Sequence, residues 1–295
     1  MKQIAIFLVV LLCSVGLIAC SSSAEIILPD ADEITKLGET CTALETMQIV
    51  AWQSLDIEQV RSVYTDDVVH FDGYPAYVGV DSVVNMAERI LTFFADWQMG
   101  VGESYISDEG CVGTWLNWGI AEGQTSENPG REFDYLEVKN GKISFWRLFY
   151  DASFDAERIQ QEFLDSYAEA WTSGDVNSIK DFYASNTTLE DSLMGVSISG
   201  KGNVGKYISS MMELGGDMEW EVLVPYGEES APFPYDEEYP QPSTGGVFGI
   251  HVTDEAGKAC MIEVFLMLTP DDDGKIIDHQ MFYNEETLIE CGWVK

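Results

Sequence analysis

In the carboxyl-terminal half, apolar positions recur at helical spacing at Ile159, Phe163, Tyr167 and Ala170. This predicts a first helix with one buried face. Gly174 and Asp175 end it, and Asp175 is placed to cap a short second helix running to Tyr183. A strand is expected over 187–191 with a partner over 196–199. Gly200 then opens a third helix that turns Val204, Ile208 and Met211 inward. Beyond it the pattern is that of strands, over 218–224, 247–253, 259–268 and 275–283, with Asp273-Gly274 as a hairpin turn. The amino-terminal half reads the same way. A strand spans 68–72, Gly79 precedes a helix carrying Val83, Ala87, Ile90 and Phe94, and strands follow over 98–106, 111–121, 132–138 and 142–150, with Asn140-Gly141 as a turn. Helices first and strands last imply an α+β class with a strongly curved antiparallel sheet wrapped around the helices.

The likeness of the halves extends to residue identity. Ala51-Trp52-Gln53-Ser54-Leu55-Asp56-Ile57 through Tyr64 matches Ala170-Trp171-Thr172-Ser173-Gly174-Asp175-Val176 through Tyr183, and Gly141-Lys142-Ile143 with Phe149-Tyr150 matches Gly274-Lys275-Ile276 with Phe282-Tyr283. Two blocks repeated in the same order mean two copies of one domain, 38–153 and 154–295. The second copy is longer. Its extra residues are expected in a proline-rich, acidic loop over 225–246, because proline cannot serve a sheet ladder.

Residues 1–19 stand apart. A short basic start, Met1-Lys2-Gln3, precedes an apolar run from Ile4 to Ile18, the form of an export signal rather than a span. It ends in Leu17-Ile18-Ala19-Cys20 followed by Ser21-Ser22-Ser23, which resembles the lipobox of bacterial lipoproteins. The resemblance implies cleavage before Cys20, acylation there, and a partnership with the lipid bilayer through the Cys20 acyl chains. Localisation would be the bacterial cell envelope, on the outer side of the cytoplasmic membrane or in an outer membrane. Residues 20–37 read as an acidic tether.

Charge narrows the partners. Fifteen Lys and Arg oppose 51 Asp and Glu, a net −36. That excludes nucleic acid, whose binding rests on clustered cations, and electrostatic docking on anionic lipid. Solubility outside the cell accounts for the acidity, with cation binding as the sharper alternative. After Cys13 and Cys20, four cysteines remain: Cys41, Cys111, Cys260 and Cys291. They allow three pairings. Cys41–Cys111 with Cys260–Cys291 keeps each bridge inside one copy, though sequence does not choose among the three. No spacing suggests a metal site.

The helix order, the Ala-Trp and Asp of the first turn, the glycine before the third helix, and the Asn/Asp-Gly-Lys-Ile lead into a last strand with an aromatic pair together resemble the nuclear-transport-factor-two-like superfamily, closest to its SnoaL-like branch. The resemblance implies two tandem cones, each a sheet curled about helices with a pocket at its open end. Members include polyketide cyclases, ketosteroid isomerases, dehydratases and non-catalytic binding or assembly domains, so the fold leaves function open. Enzymes of this kind use an Asp, sometimes with a His, because a carboxylate in an apolar cone has a raised pKa and can take a proton beside a carbonyl.

Candidate residues follow. His70 and Asp72 share a face of one strand. In copy two Leu189 and Asp191 occupy those positions, so the acid is kept and the imidazole lost. Asp278 and His279 are adjacent in the last strand and face opposite sides; copy one has Phe145 and Trp146 there. The plainer reading of each pair is a strand residue beside a turn or rim. His251, with no acidic neighbour before Asp254, reads as structural. Tyr74, Trp115, Trp118 and Trp146 would line the first cone. Asp271-Asp272-Asp273-Gly274 lacks the alternating ligands of a calcium loop and reads as a turn. No phosphate loop or nucleophile elbow occurs. The expectation is therefore a membrane-anchored lipoprotein with two pockets for a small hydrophobic molecule or a partner protein, without cofactor or metal. The alternatives are a SnoaL-like isomerase, cyclase or dehydratase, and a structural module that forms a homodimer through its sheet faces.

Overall fold

The computed structural model describes residues 26–54, 56–71, 76–107, 110–121, 130–151, 161–227, 243–253, 259–271 and 273–295. Asp72, Tyr74, Cys20 and most of the proline-rich loop lie outside them. The first helix, α1 (Ala31–Gln53), starts at Asp30, whose carboxylate accepts from the amides of Asp32 and Glu33 at 3.0 and 3.4 Å. It begins within the stretch read as a tether. Ile26 and Leu28 already lie against the core. The Ile27 amide donates to the Met194 carbonyl, and the Lys295 amide donates to that of Pro29.

Asp56 caps α2 (Ile57–Val63) through the Glu58 amide, and Asp175 caps its counterpart through the Asn177 amide, each at 3.0 Å. Then come β1 (Tyr64–Phe71), β2 (Tyr77–Val78), α3 (Val80–Phe93), β3 (Phe94–Ile106), β4 (Cys111–Ala121), β5 (Gly130–Lys139) and β6 (Lys142–Asp151). The second half contains α4 (Gln161–Ser173), α5 (Val176–Lys180), β7 (Tyr183–Asp191), a 3-10 turn (Ser192–Met194), β8 (Val196–Ser199), α6 (Lys201–Gly215), β9 (Glu219–Gly227), β10 (Thr244–Thr253), β11 (Ala259–Pro270), β12 (Ile276–Asn284) and α7 (Glu285–Glu290). Asn140 and Gly141 both have positive φ, 56° and 74°, the geometry a two-residue hairpin between β5 and β6 requires.

The strands form a mixed, curved sheet whose pairing recurs. In the first half the order is β2-β1-β6-β5-β4-β3, and in the second β8-β7-β12-β11-β10-β9. All neighbours are antiparallel except β1 with β6 and β7 with β12. The register repeats as well: Tyr64, Val69 and His70 oppose Ile143, Phe145 and Trp146, just as Tyr183, Thr188 and Leu189 oppose Ile276, Asp278 and His279. The halves join at two short antiparallel seams. Tyr150 and Asp151 meet Gly227 and Tyr226, and Tyr283 and Asn284 meet Ile106 and Tyr105. The two seams are equivalent under the sequence repeat and turn eight strands into a closed circuit, β6-β5-β4-β3-β12-β11-β10-β9.

Strand alternation sorts the side chains onto two faces. One carries Leu136, Trp146, Phe248, Leu266 and Met281 into the main core, where they meet Trp52 and Trp171 of the helices. The other places Tyr105, Phe133, Tyr135, Phe265 and Phe282 in a second cluster inside the circuit. There Phe265 lies 5.6 to 6.0 Å from Tyr105, Phe133 and Phe282, ring centre to ring centre. Disulfides join Cys41 of α1 to Cys111 of β4, and Cys260 of β11 to Cys291 after α7. Among the described residues no helix is long and apolar enough to cross a membrane.

Candidate functional site

The second half concentrates buried polar chemistry under its helices. Asp191, at the end of β7, has no solvent exposure. Tyr207 of α6 and Tyr283 of β12 both donate to its Oδ2, at 2.6 and 3.0 Å, while Oδ1 has no partner. Burial pushes this carboxyl up to about 6, and the two phenols and a backbone donor pull it partly back. The same burial raises both phenols well above their ordinary range. Asp191 is placed by the bend into the 3-10 turn that follows it. Tyr207 reaches it because α6 lies over β7 with Val204, Ile208 and Met211 packed inward.

A second chain of polar groups joins α4, β7 and β12. The Tyr167 and Tyr183 hydroxyls are 2.7 Å apart, and the Tyr183 hydroxyl is 2.8 Å from His279 Nδ1. His279 is fully buried, its Nε2 has no partner, and burial alone drives its pKa down to about 3. The imidazole is therefore neutral. Asp278 faces the other way: its Oδ1 accepts from the Thr188 hydroxyl at 2.5 Å and its Oδ2 from Gln280 at 3.3 Å.

The first half fills the same positions differently. His70 stacks on the Trp146 indole at 3.7 Å between ring centres, and its Nδ1 lies 3.3 Å from the Trp146 carbonyl. Burial, opposed by that contact, lowers its pKa to about 3. Trp146 donates to Asp134 Oδ1 at 2.6 Å and packs edge-on against Trp52. Tyr64, equivalent to Tyr183, accepts from Trp52 and Gln48. Trp146 is thus embedded in packed side chains, whereas Trp115 and Trp118 are described only as backbone positions of β4. His251 has an acidic partner that local sequence does not show: Glu221 across the ladder, 2.7 Å away on an exposed face.

The tyrosines Tyr167, Tyr183, Tyr207 and Tyr283 and the carboxyl of Glu45 were not singled out as functional from sequence. Each lies in an ordinary amphipathic pattern, and only the packing of α4 and α6 on β7 and β12 brings the phenols to Asp191 and His279. Among the described residues, the grouping of Cys41, Glu45 and Cys111 has ligand-type atoms within 4.8 Å of one another, but its two sulfurs are bonded and offer no thiolate.

Residues 46–146 match the family model of the SnoaL-like domain. No curated protein matches the chain. Among solved structures, the chain is similar to a Sinorhizobium meliloti protein assigned to the polyketide cyclases, with 15% identity over 36% of this chain and 93% of that one and a TM-score of 0.32. It is also similar to an epoxide hydrolase/cyclase-like enzyme of pyran-ring formation in salinomycin, with 18% identity over 45% and 95% and a TM-score of 0.35. A third is an LEH-like epoxide hydrolase of M. tuberculosis, with 16% identity over 39% and 85% and a TM-score of 0.34.

Proposed function

We propose that the chain is a proton-transfer enzyme of the isomerase or cyclase kind, acting on a carbonyl compound, built from two tandem SnoaL-like units over 38–153 and 154–295. The observation that carries this reading is Asp191: a buried carboxyl, oriented by two phenols on Oδ2, with Oδ1 left open and a pKa near 6. Near pH 7 such a group is mostly ionised yet basic enough to act. Oδ1 takes a proton from the carbon beside the substrate carbonyl and returns it to a second carbon, or, where the enolate closes a ring on a second carbonyl, delivers it to the alkoxide so formed. Tyr207 and Tyr283 hold the carboxylate in one orientation through both steps. Asp191 is closed to solvent, so the elements that enclose it must part to admit the substrate. The tandem arrangement is supported by the repeated register of both halves and by the equivalence of the two seams. Their sheet faces already cover each other, which supports pairing of units inside one chain in place of a homodimer.

The test is proton exchange into D2O, followed by NMR on a panel of polycyclic enones and β-keto esters. Asp191→Asn should abolish exchange that the parent chain catalyses, and Tyr207→Phe should weaken it. No exchange on any member of the panel, or equal exchange in Asp191→Asn, would sink the reading. The closure of Asp191 favours a second reading, a lipid-anchored protein that binds a small hydrophobic molecule without turning it over. In that case the same panel would bind without exchange. In either case we propose export and acylation at Cys20 of the cell-envelope form. Cys20→Ala should shift the protein from the membrane to the soluble fraction, and unchanged fractionation would reject the anchor.

A further inference from the structure

We infer that the Cys41–Cys111 disulfide is a thiol–disulfide exchange centre, with Glu45 as its internal proton donor and an adjoining pocket as the approach for a dithiol reductant. The centre lies in the first half and is independent of the Asp191 site.

Three observations support it. First, Glu45 is fully buried on the core side of α1, one turn after Cys41, with Oε1 3.3 Å from Cys41 Sγ. A disulfide sulfur carries no hydrogen, so a hydrogen bond across that gap requires Glu45 to be protonated and donating. The Ser104 hydroxyl donates to the other oxygen at 3.0 Å, which leaves Oε1 to carry the proton. Burial pushes Glu45 up to about 8, opposed only by Ser104, and no charged neighbour contributes. The groups facing it are Cys41 on α1, Ser104 on β3, and Cys111 and Gly113 on β4. Gly113 is required there, because a Cβ would lie 2.0 Å from Oε1.

Second, the scaffold does not need an acid at this place. The equivalent residue in the other half is Leu164, also fully buried. A carboxyl held in such a position at the cost of desolvation is retained for its chemistry.

Third, the bridge is buried, Cys41 at 2% and Cys111 at 4% exposure, but a pocket leads to it. The pocket, of about 160 Å³, is lined by both cysteines together with Leu37, Thr40, Leu44, Ser107 and Val138. Among the described residues no carboxyl is hydrogen-bonded to the other bridge, Cys260–Cys291.

The exchange runs as follows. A thiolate of the reductant attacks Cys111 Sγ and the S–S bond breaks. Cys41 leaves with the electron pair and takes the proton of Glu45, which makes it the better leaving group. The reductant's second thiol loses its proton to solvent and displaces Cys111 from the mixed disulfide. Cys111 and Glu45 then take protons from solvent. Two electrons pass from the dithiol, oxidised to a disulfide, to the cysteine pair, reduced to two thiols.

The test uses the full chain with dithiothreitol, alkylation quench and peptide mass spectrometry. Cys41–Cys111 should open about tenfold faster than Cys260–Cys291. Glu45→Gln should slow it about tenfold at pH 7, and the difference should vanish above about pH 8, where Glu45 has lost its proton. Ser104→Ala keeps the carboxyl but removes the donor that favours its ionised form, so it should move that limit to higher pH. Equal opening of the two bridges, a Glu45→Gln rate equal to the parent's at every pH, or an unmoved limit in Ser104→Ala would each overturn the proposal.

Discussion

The two halves share a ladder and differ in what stands on it. At one rung the first half pairs His70 with Trp146 and the second pairs Leu189 with His279. Each half keeps a buried, neutral imidazole, but on adjacent strands. In the first half the indole stacks on it and donates to Asp134. In the second the imidazole ends a chain of two phenols, and the neighbouring carboxyl is held by two more. Backbone pairing was therefore the constraint common to both, while the interior diverged from aromatic packing to polar networks. Core volume can be redistributed between facing positions so long as the total is kept.

Truncation at this rung tests the contrast most strongly. Trp146→Ala should cost roughly 3–5 kcal/mol in urea unfolding, since it removes a large buried ring. His279→Ala should cost less, roughly 1–3 kcal/mol, chiefly through the loss of its hydrogen bond with the buried Tyr183 hydroxyl. Equal losses would mean that the two interiors do not differ as described.

Asp191→Asn comes next. The carboxyl rises from 3.8 to about 6 on folding, so the native state binds the proton more tightly than the unfolded one. Stability is then lost as pH climbs from 3.8 through about 6. At 1.36 kcal/mol per unit, the neutral variant should be more stable than the parent above pH 6 by up to about 3 kcal/mol, with the gain gone below pH 3.8. A stabilised protein without turnover is the expected pair of results, and a variant destabilised at pH 8 would contradict the burial argument.

The smallest effect is expected from His70→Phe. Both imidazoles fall from 6.5 to about 3 on folding. Stability present above 6.5 is therefore lost as pH drops toward 3, because the unfolded chain takes up protons that the native one refuses. Phenylalanine keeps the stack on Trp146 and should lower the slope of stability against pH in that window by one proton's worth. The slope should stay as it is in the parent if His70 is in fact charged when folded.

Much of the scaffold was legible in the residues. The Ala-Trp and Gly-Lys-Ile blocks exposed the repeat, and the Asn140-Gly141 turn and the start of β4 at Cys111 fell where alternation put them. Strand ends were read short, as at β9 and β10, because glycine and proline mark turns in sequence, whereas Pro225 and Gly245 sit within paired strands. Asp191 stood out because its acid persists through the repeat. Its phenol partners did not, since Tyr207 and Tyr283 come from elements far apart in sequence and look like core aromatics. The exchange of imidazole between β1 and β12 was hidden for the same reason: comparing one strand with its copy showed a loss at Leu189, while the compensating gain lay on the neighbour. Glu45 carries no signal in the sequence, because β3 and β4, which close over it, are remote in the chain.

The two seams also bear on how the nascent chain matures. β3 ends at Ile106, but its edge waits for Tyr283 and Asn284 at the far end of β12. Through that interval Tyr105, Phe133 and Tyr135 have no facing layer, and an unpaired strand edge beside bare aromatics invites association with other chains. Vectorial emergence of the chain thus leaves the first half unsealed until β12 is available, and residues 94–151 are where a holding chaperone would be most needed.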